Sequence, residues 1–177
     1  MNAKPLAPGA VIGIIGGGQL GRMLAMAAAR LGYSTIILEP DSFAPAAQVA
    51  NTQIVASFDD PAALQQLADL CDVVTYEFEN VPVDAVRWLE AHVPVRPGSK
   101  ALEVAQDRLL EKDVARQLGA ETALFAPVSN RTDLDSAIAI TGLPAVLKTT
   151  RLGYDGKGQA RLLRQEDADE AFAAMHG

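Results

Sequence analysis

Three glycines and two lysines crowd into one stretch of the chain, Lys148-Thr-Thr-Arg-Leu-Gly153-Tyr154-Asp155-Gly156-Lys157-Gly158-Gln159. Glycines let a backbone turn sharply and come close to a ligand. Backbone N–H groups in such a turn can converge on an anion, and Lys148 and Lys157 supply compensating positive charge. These residue types suit the holding of a polyphosphate. Apolar segments flank the stretch, Pro144 to Leu147 before it and Ala160 to Leu163 after it, so the loop would lie over a sheet. A structural hairpin is the competing reading. Two-residue hairpins need only one or two glycines, whereas this loop is about ten residues long and carries Tyr154 and Asp155 at its centre. On residue types alone both readings stand.

A second constellation lies near the start. Gly16-Gly17-Gly18-Gln19-Leu20-Gly21 satisfies G-x-G-x-x-G, and Glu39 follows about 18 residues on. In the dinucleotide fingerprint such an acidic residue holds the ribose 2′-hydroxyl. An NAD-dependent oxidoreductase is therefore a competing hypothesis. Against it, Pro40 to Asn51 is an odd insert for a compact dinucleotide half, and no base for hydride chemistry is evident. It also leaves the Lys148–Gln159 loop without a role. The glycine turn can equally bind one phosphate at a helix N-terminus, or its glycines can serve close helix–strand packing alone.

Composition narrows the classes. At 177 residues the chain makes one large domain or two small ones, and 49% of it is apolar. The net charge of −7 argues against a nucleic-acid partner. Cys71 is the single cysteine, which excludes an internal disulfide and fits a reducing compartment. His92 and His176 are far apart, and no Cys/His cluster suggests an ordinary zinc site. No G-x-S-x-G points to a serine hydrolase. The uncharged stretch between Lys4 and Arg22 has only Val11 to Ile15 as its apolar core, which fails the signal-peptide and membrane-span tests. A cytoplasmic protein with no membrane partner is expected.

The elements that position these groups alternate. Val11–Ile15 reads as a buried parallel strand. A helix from about Gln19 to Leu31 follows, with Leu20, Leu24, Ala27 and Leu31 on one face and Gly32 as its stop. Ser34–Leu38 and Gln53–Val55 read as strands. Asp60-Pro61 opens a helix bearing Leu64, Leu67 and Leu70. Asp72–Tyr76 is a strand, Val83 to Ala91 a helix burying Val83, Val86 and Leu89, and His92–Val95 a last short strand. This order implies an α/β fold with a doubly wound parallel sheet. After Arg96-Pro97-Gly98 the character changes. Lys100 to Gly119 reads as helix broken near Gln106-Asp107, with Leu109, Val114 and Leu118 as its packing face. A helix at Thr132 to Thr141, the strand–loop–strand described first, and a helix from Glu166 to Met175 complete the chain. The boundary divides residues 1–100 from 101–177.

Three segments together resemble a known family. They are Gly16-Gly-Gly-Gln-Leu-Gly-Arg-Met23, Thr75-Tyr-Glu-Phe-Glu-Asn-Val81, and Gln106-Asp-Arg108 followed by the Lys148–Gln159 loop. They resemble the 5-(carboxyamino)imidazole ribonucleotide synthases, ATP-grasp enzymes of purine biosynthesis. The resemblance runs along nearly all of this chain and about the first half of the family's length. Formate-dependent glycinamide ribonucleotide transformylases are similar in layout but carry a serine-rich loop and lack Tyr-Glu-Phe-Glu-Asn. Biotin carboxylases have a longer glycine run. Val114-Ala115 and Glu121 depart from the family's usual larger apolar residue and proline.

The resemblance implies a Rossmann-like pre-ATP-grasp domain followed by the start of an α+β ATP-grasp small lobe. It implies a ligase that joins ATP, bicarbonate and 5-aminoimidazole ribonucleotide through carboxyphosphate. Lys148 would reach the α- and β-phosphates, Arg108 would contact ATP, and Gly153, Tyr154, Asp155, Gly156, Lys157, Gly158 and Gln159 would cover the phosphates as a flap. Gly18, Gln19 and Leu20 would help hold the ribonucleotide. Glu77, at the carboxyl end of its strand, would bond the ribose or the amine, with Glu79 on the same side if the strand persists. No catalytic residue is singled out. The Mg²⁺ carboxylates and the adenine hinge are expected beyond residue 177, so the chain is expected to be an N-terminal portion, inactive alone, of a homodimeric enzyme. A non-catalytic nucleotide-sensing module is the third class in view.

Overall fold

A computed structural model describes residues 5–153 and 157–175. These fall into two compact units, divided between Glu103 and Val104.

The first unit is a parallel sheet in the order β3-β2-β1-β4, built from β1 (Val11–Ile15), β2 (Ser34–Leu38), β3 (Thr52–Ile54) and β4 (Val73–Tyr76). Parallel strands need crossovers, supplied by α1 (Gln19–Arg30) and α2 (Pro61–Leu70). Alternation along β1 and β2 sends side chains to opposite faces. Ile14 and Ile37 pack with Ala25 of α1, while Ile15, Ile36 and Leu38 pack with Leu64 and Leu67 of α2 and with Val86 and Leu89 of α3 (Val83–Glu90). Each such fully buried aliphatic side chain contributes about 1.5–3 kcal/mol, so the two-faced sheet holds the unit. The expected strand at His92–Val95 is reduced to one parallel bridge between Val74 and Val95. Val83 is only partly buried, and Leu70 faces solvent.

The expected apolar face of α1 does not meet the sheet. Leu20, Leu24 and Leu31 are 58%, 41% and 66% exposed, and Gly21, Ala25 and Ala28 are buried instead. A Cβ on Gly21 would lie 2.6 Å from the Gly16 carbonyl oxygen, so the helix approaches the β1 turn too closely for leucines to intervene.

The second unit follows α4 (Ser99–Ala105). The helical run breaks at Gln106-Asp107 as expected, because Asp107 accepts hydrogen bonds from the N–H groups of Leu109 and Leu110 and so starts α5 (Arg108–Gln117) anew. Leu109 and Val114 are half-buried and Leu118 is exposed. Asn130 caps α6 (Arg131–Thr141) by accepting from Asp133 N–H at 2.9 Å. β5 (Ala145–Lys148) and β6 (Gln159–Leu162) pair antiparallel, and α7 (Ala168–Met175) completes the unit. Leu134, Ile138, Leu162, Ala168 and Ala171 form its core.

Candidate functional site

Each unit carries its own constellation at a strand end. In the first, β1 lies between β2 and β4, so the residues that follow those three strands meet at one sheet edge. Gly16–Gly18 follows β1, Glu39 follows β2 and Glu77 follows β4. Register fixes them: Gly16 N–H donates to the Leu38 carbonyl and Glu77 N–H to the Ile15 carbonyl, both at 3.0 Å.

Both carboxylates turn into the glycines. Glu77 Oε1 accepts from Gly18 N–H at 2.8 Å, and Glu77 Oε2 accepts from Gly21 N–H. Glu39 Oε2 accepts from Gly17 N–H at 2.8 Å and its Oε1 from Asp41 N–H at 3.1 Å. The glycines are what admits them. A Cβ on Gly16 would sit 2.4 Å from Glu77 Cγ, one on Gly17 2.7 Å from Glu39 Cγ, and one on Gly18 2.8 Å from Glu77 Oε1. The segment after Glu39, an odd insert for a dinucleotide half, wraps the turn. Ala46 N–H donates to the Gly17 carbonyl at 2.8 Å, and the Arg22 guanidinium donates to the Pro45 carbonyl at 3.1 Å.

This geometry tells against the oxidoreductase reading. Glu39 is engaged with backbone N–H groups rather than poised for a ribose hydroxyl, and the N–H groups of Gly17, Gly18 and Gly21 already hold carboxylates. Gln19 and Leu20 are exposed beside the turn. β4 ends at Tyr76, so strand alternation does not set the relation of Glu77 to Glu79.

In the second unit the β5–β6 register places Lys148 opposite Gln159 at the mouth of the connecting loop. Thr149 N–H donates to the Gly158 carbonyl at 2.9 Å, closing the neck. The Arg108 guanidinium donates to the Gly153 carbonyl at 2.8 Å, its backbone N–H donates to the Thr150 carbonyl at 2.9 Å, and Arg151 donates to Gln106 Oε1 at 3.0 Å. The structure thus brings Arg108, Lys148, Gly153, Gly158 and Gln159 together. Tyr154, Asp155 and Gly156 lie outside the described residues, and Lys157 is exposed on the loop's return.

A cavity of about 590 Å³ opens beside this loop, within the range of nucleotide-sized sites. Arg108, Lys112 and Lys148 line it with Phe125 and Val146, and among the described residues its lining includes no acidic side chain. The Phe125 ring holds Lys112 Nζ at 5.2 Å from its centroid and the Arg116 guanidinium at 4.2 Å. Lys112 was not singled out from sequence, although its spacing of one helical turn from Arg108 places both on one face of α5. Glu39 stood out in the sequence only as a ribose ligand of the dinucleotide fingerprint, and Thr149 at the neck carried no sequence signal. Among the described residues no group of three or more His, Cys, Asp or Glu side chains could hold a metal ion, and no helix is long and apolar enough to cross a membrane.

A parallel sheet ending in a glycine turn, followed by a small lobe with a cationic strand–loop–strand, defines the preATP-grasp and ATP-grasp class. Residues 10–106 match the ribonucleotide synthetase preATP-grasp domain family and residues 113–177 the ATP-grasp domain family, and the chain belongs to the ribonucleotide synthetase preATP-grasp family. Its similarity is to N5-carboxyaminoimidazole ribonucleotide synthases. It is 56% identical to that of Brucella melitensis over 178 residues, covering 99% of this chain and 49% of the relative. The structure of the Staphylococcus aureus N5-carboxyaminoimidazole synthetase complexed with ADP superimposes with a TM-score of 0.94 at 41% identity, over 99% of this chain and 47% of that one. The Aspergillus clavatus enzyme in complex with ADP and 5-aminoimidazole ribonucleotide gives 0.82 at 32% identity, over 94% and 44%. The chain spans about half the length of the curated relatives it matches.

Proposed function

We propose that the chain forms the preATP-grasp domain and the opening of the ATP-grasp domain of a ligase that carboxylates 5-aminoimidazole ribonucleotide with bicarbonate at the expense of ATP. The observation that carries this reading is the cavity beside the β5–β6 loop that Arg108, Lys112 and Lys148 line, in a chain so similar to synthases of that name. A bicarbonate oxygen attacks the γ-phosphorus of ATP, giving carboxyphosphate and ADP. The exocyclic amine of the ribonucleotide then attacks the carboxyl carbon, the C–O bond to phosphate breaks, and phosphate leaves with its electron pair.

Phosphoryl transfer of this kind needs positioning and charge neutralisation more than covalent help from the protein. The Lys148 side chain is exposed at the neck and makes no hydrogen bond or ion pair among the described residues, so its ammonium is available to the α- and β-phosphates. Arg108 holds the loop and lines the cavity, where its guanidinium would meet a nucleotide. Gly153, Lys157, Gly158 and Gln159, with Tyr154, Asp155 and Gly156, are assigned to phosphate contact on the family resemblance. Gly18, Gln19, Leu20 and Glu77 are assigned to the ribonucleotide. Each Glu77 oxygen has a second lone pair, free to accept from a hydroxyl or amine. Mg²⁺, when bound, would neutralise the transferring phosphate. Cytoplasmic location and a homodimer belong to the same reading.

The first test is ADP titration of the chain by calorimetry, with Lys148→Ala and NADH as controls. Binding of ADP that Lys148→Ala weakens supports the reading, and binding of NADH with indifference to ADP overturns it. In a form of the protein carrying a complete ATP-grasp domain, ADP release should require the ribonucleotide and bicarbonate together. Release independent of either would refute the reaction.

A further inference from the structure

We propose that Glu77 is the resident anion of the glycine turn: an internal carboxylate occupying the place where dinucleotide-binding folds hold a ligand phosphate, and a positioning residue that sets the turn's specificity against phosphate. This holds of the turn itself, whatever reaction the enzyme runs.

Three independent features of the turn converge on one side chain. The N–H groups of Gly18 and Gly21, at the positive end of the twelve-residue helix α1, both donate to Glu77, one to each oxygen. The glycines at 16 and 18 make the room Glu77 occupies, since a Cβ at either would fall within 2.8 Å of its atoms. The carboxylate is delivered from the residue just after β4, whose N–H donates to the Ile15 carbonyl of β1, so its approach is tied to the sheet. Glu39 reinforces the arrangement from the β2 side by taking Gly17 N–H. Two negative charges therefore flank a turn whose motif otherwise advertises phosphate binding. An incoming phosphate would meet repulsion, and would find the N–H groups of Gly17, Gly18 and Gly21 already taken. A group that donates hydrogen bonds, a hydroxyl or an amine, would meet the outward lone pairs of both carboxylates.

The turn's selectivity is thus inverted from that of a dinucleotide site by residues outside the motif. G-x-G-x-x-G is kept here for the close approach of carboxylates, in place of the close approach of a pyrophosphate.

The experiment follows the backbone amide resonances of Gly18 and Gly21 in the isotopically labelled chain as inorganic phosphate is added. In the wild type they should not move. In Glu77→Ala the vacated donors should take phosphate saturably, at phosphate concentrations that leave the wild type unmoved, and formate should compete because it restores the missing carboxylate. Glu77→Gln keeps the volume and should block phosphate, while the Gly18 and Gly21 resonances shift because one donor loses its acceptor. Saturable phosphate shifts in the wild type would overturn the proposal. So would a folded Glu77→Ala chain indifferent to phosphate and formate, or a Glu77→Gln chain whose two amides match the wild type. If Glu77→Ala does not fold, the wild-type and Glu77→Gln arms still decide.

Discussion

The Arg108 guanidinium donates to the Gly153 carbonyl at 2.8 Å across 45 residues of sequence, and so ties the start of α5 to the β5–β6 loop. Hydrogen bonds from a charged donor contribute about 1.5–3 kcal/mol, and Arg108 is half-buried. Arg108→Ala should therefore destabilise the second unit by about 1–2 kcal/mol and weaken ADP binding as well. Arg108→Lys separates the two effects. It keeps the charge but loses the planar donor fork, so it should lose the tether while retaining part of the ADP affinity. Urea midpoints and ADP titrations of both variants check this. Equal stability of Arg108→Lys and the wild type would show that the tether contributes nothing.

Lys148 makes the opposite case. It is exposed, and its side chain makes no hydrogen bond or ion pair among the described residues. Removing such a side chain should change stability by no more than about 0.5 kcal/mol. If it reaches a phosphate, Lys148→Met should weaken ADP binding about tenfold to a hundredfold, the equivalent of one charged hydrogen bond. Loss of affinity without loss of stability marks a ligand contact, whereas parallel losses would mark a structural lysine.

Sequence reasoning reached what is decided locally. Asp60 accepts from Ala63 N–H at 2.8 Å and starts α2 before Pro61, and Asp107 divides α4 from α5 through the same kind of cap, so both were visible as residue types next to helical patterns. The face of α1 was not visible. Its outer residues Leu20, Leu24 and Leu31 satisfy helical spacing as well as Gly21, Ala25 and Ala28 do, and close approach to the sheet selects the small ones. Least legible was the Glu77–Gly18 pair, separated by 59 positions. That contact exists only because β4 lies next to β1, and strand order is a property of the folded sheet.

Thr149 and Gly158 pack so closely at the loop neck that a Cβ on Gly158 would lie 2.6 Å from Thr149 Oγ1, and Gly158 also has φ +64°. Gly158→Ala thus adds a steric conflict to a left-handed backbone, for a combined cost of about 2–3 kcal/mol. The two contributions separate in a double mutant. With Thr149→Ala the nearest remaining atom is the Cβ of residue 149 at 3.4 Å, an ordinary contact. The double variant should recover the steric part and keep only the conformational cost of about 1 kcal/mol. Additive losses in a urea-unfolding cycle would show that the two residues do not meet at the neck.

Cys71 gives the chain an alkaline limit. It is buried against β1, its Sγ 2.9 Å from where a Gly13 Cβ would lie. Burial first, and then the Asp72 charge, push its thiol up from 9.0 to about 12. Below pH 9 the thiol is protonated in both folded and unfolded chains and does not affect the balance. Between 9 and about 12 the unfolded chain releases the proton while the folded chain keeps it, so stability falls as pH rises, by up to about 1.4 kcal/mol per pH unit. Above about 12 both forms are ionised and the slope ends. Urea midpoints of the wild type should therefore drop between about pH 8 and about pH 10 by more than those of Cys71→Ala, since other alkaline groups titrate equally in both. A thiol reagent at neutral pH should leave the folded chain unlabelled and react fully in denaturant, because the thiolate is the reactive form. Prompt labelling of the folded chain, or the same alkaline slope in Cys71→Ala, would place the thiol in water and remove this limit.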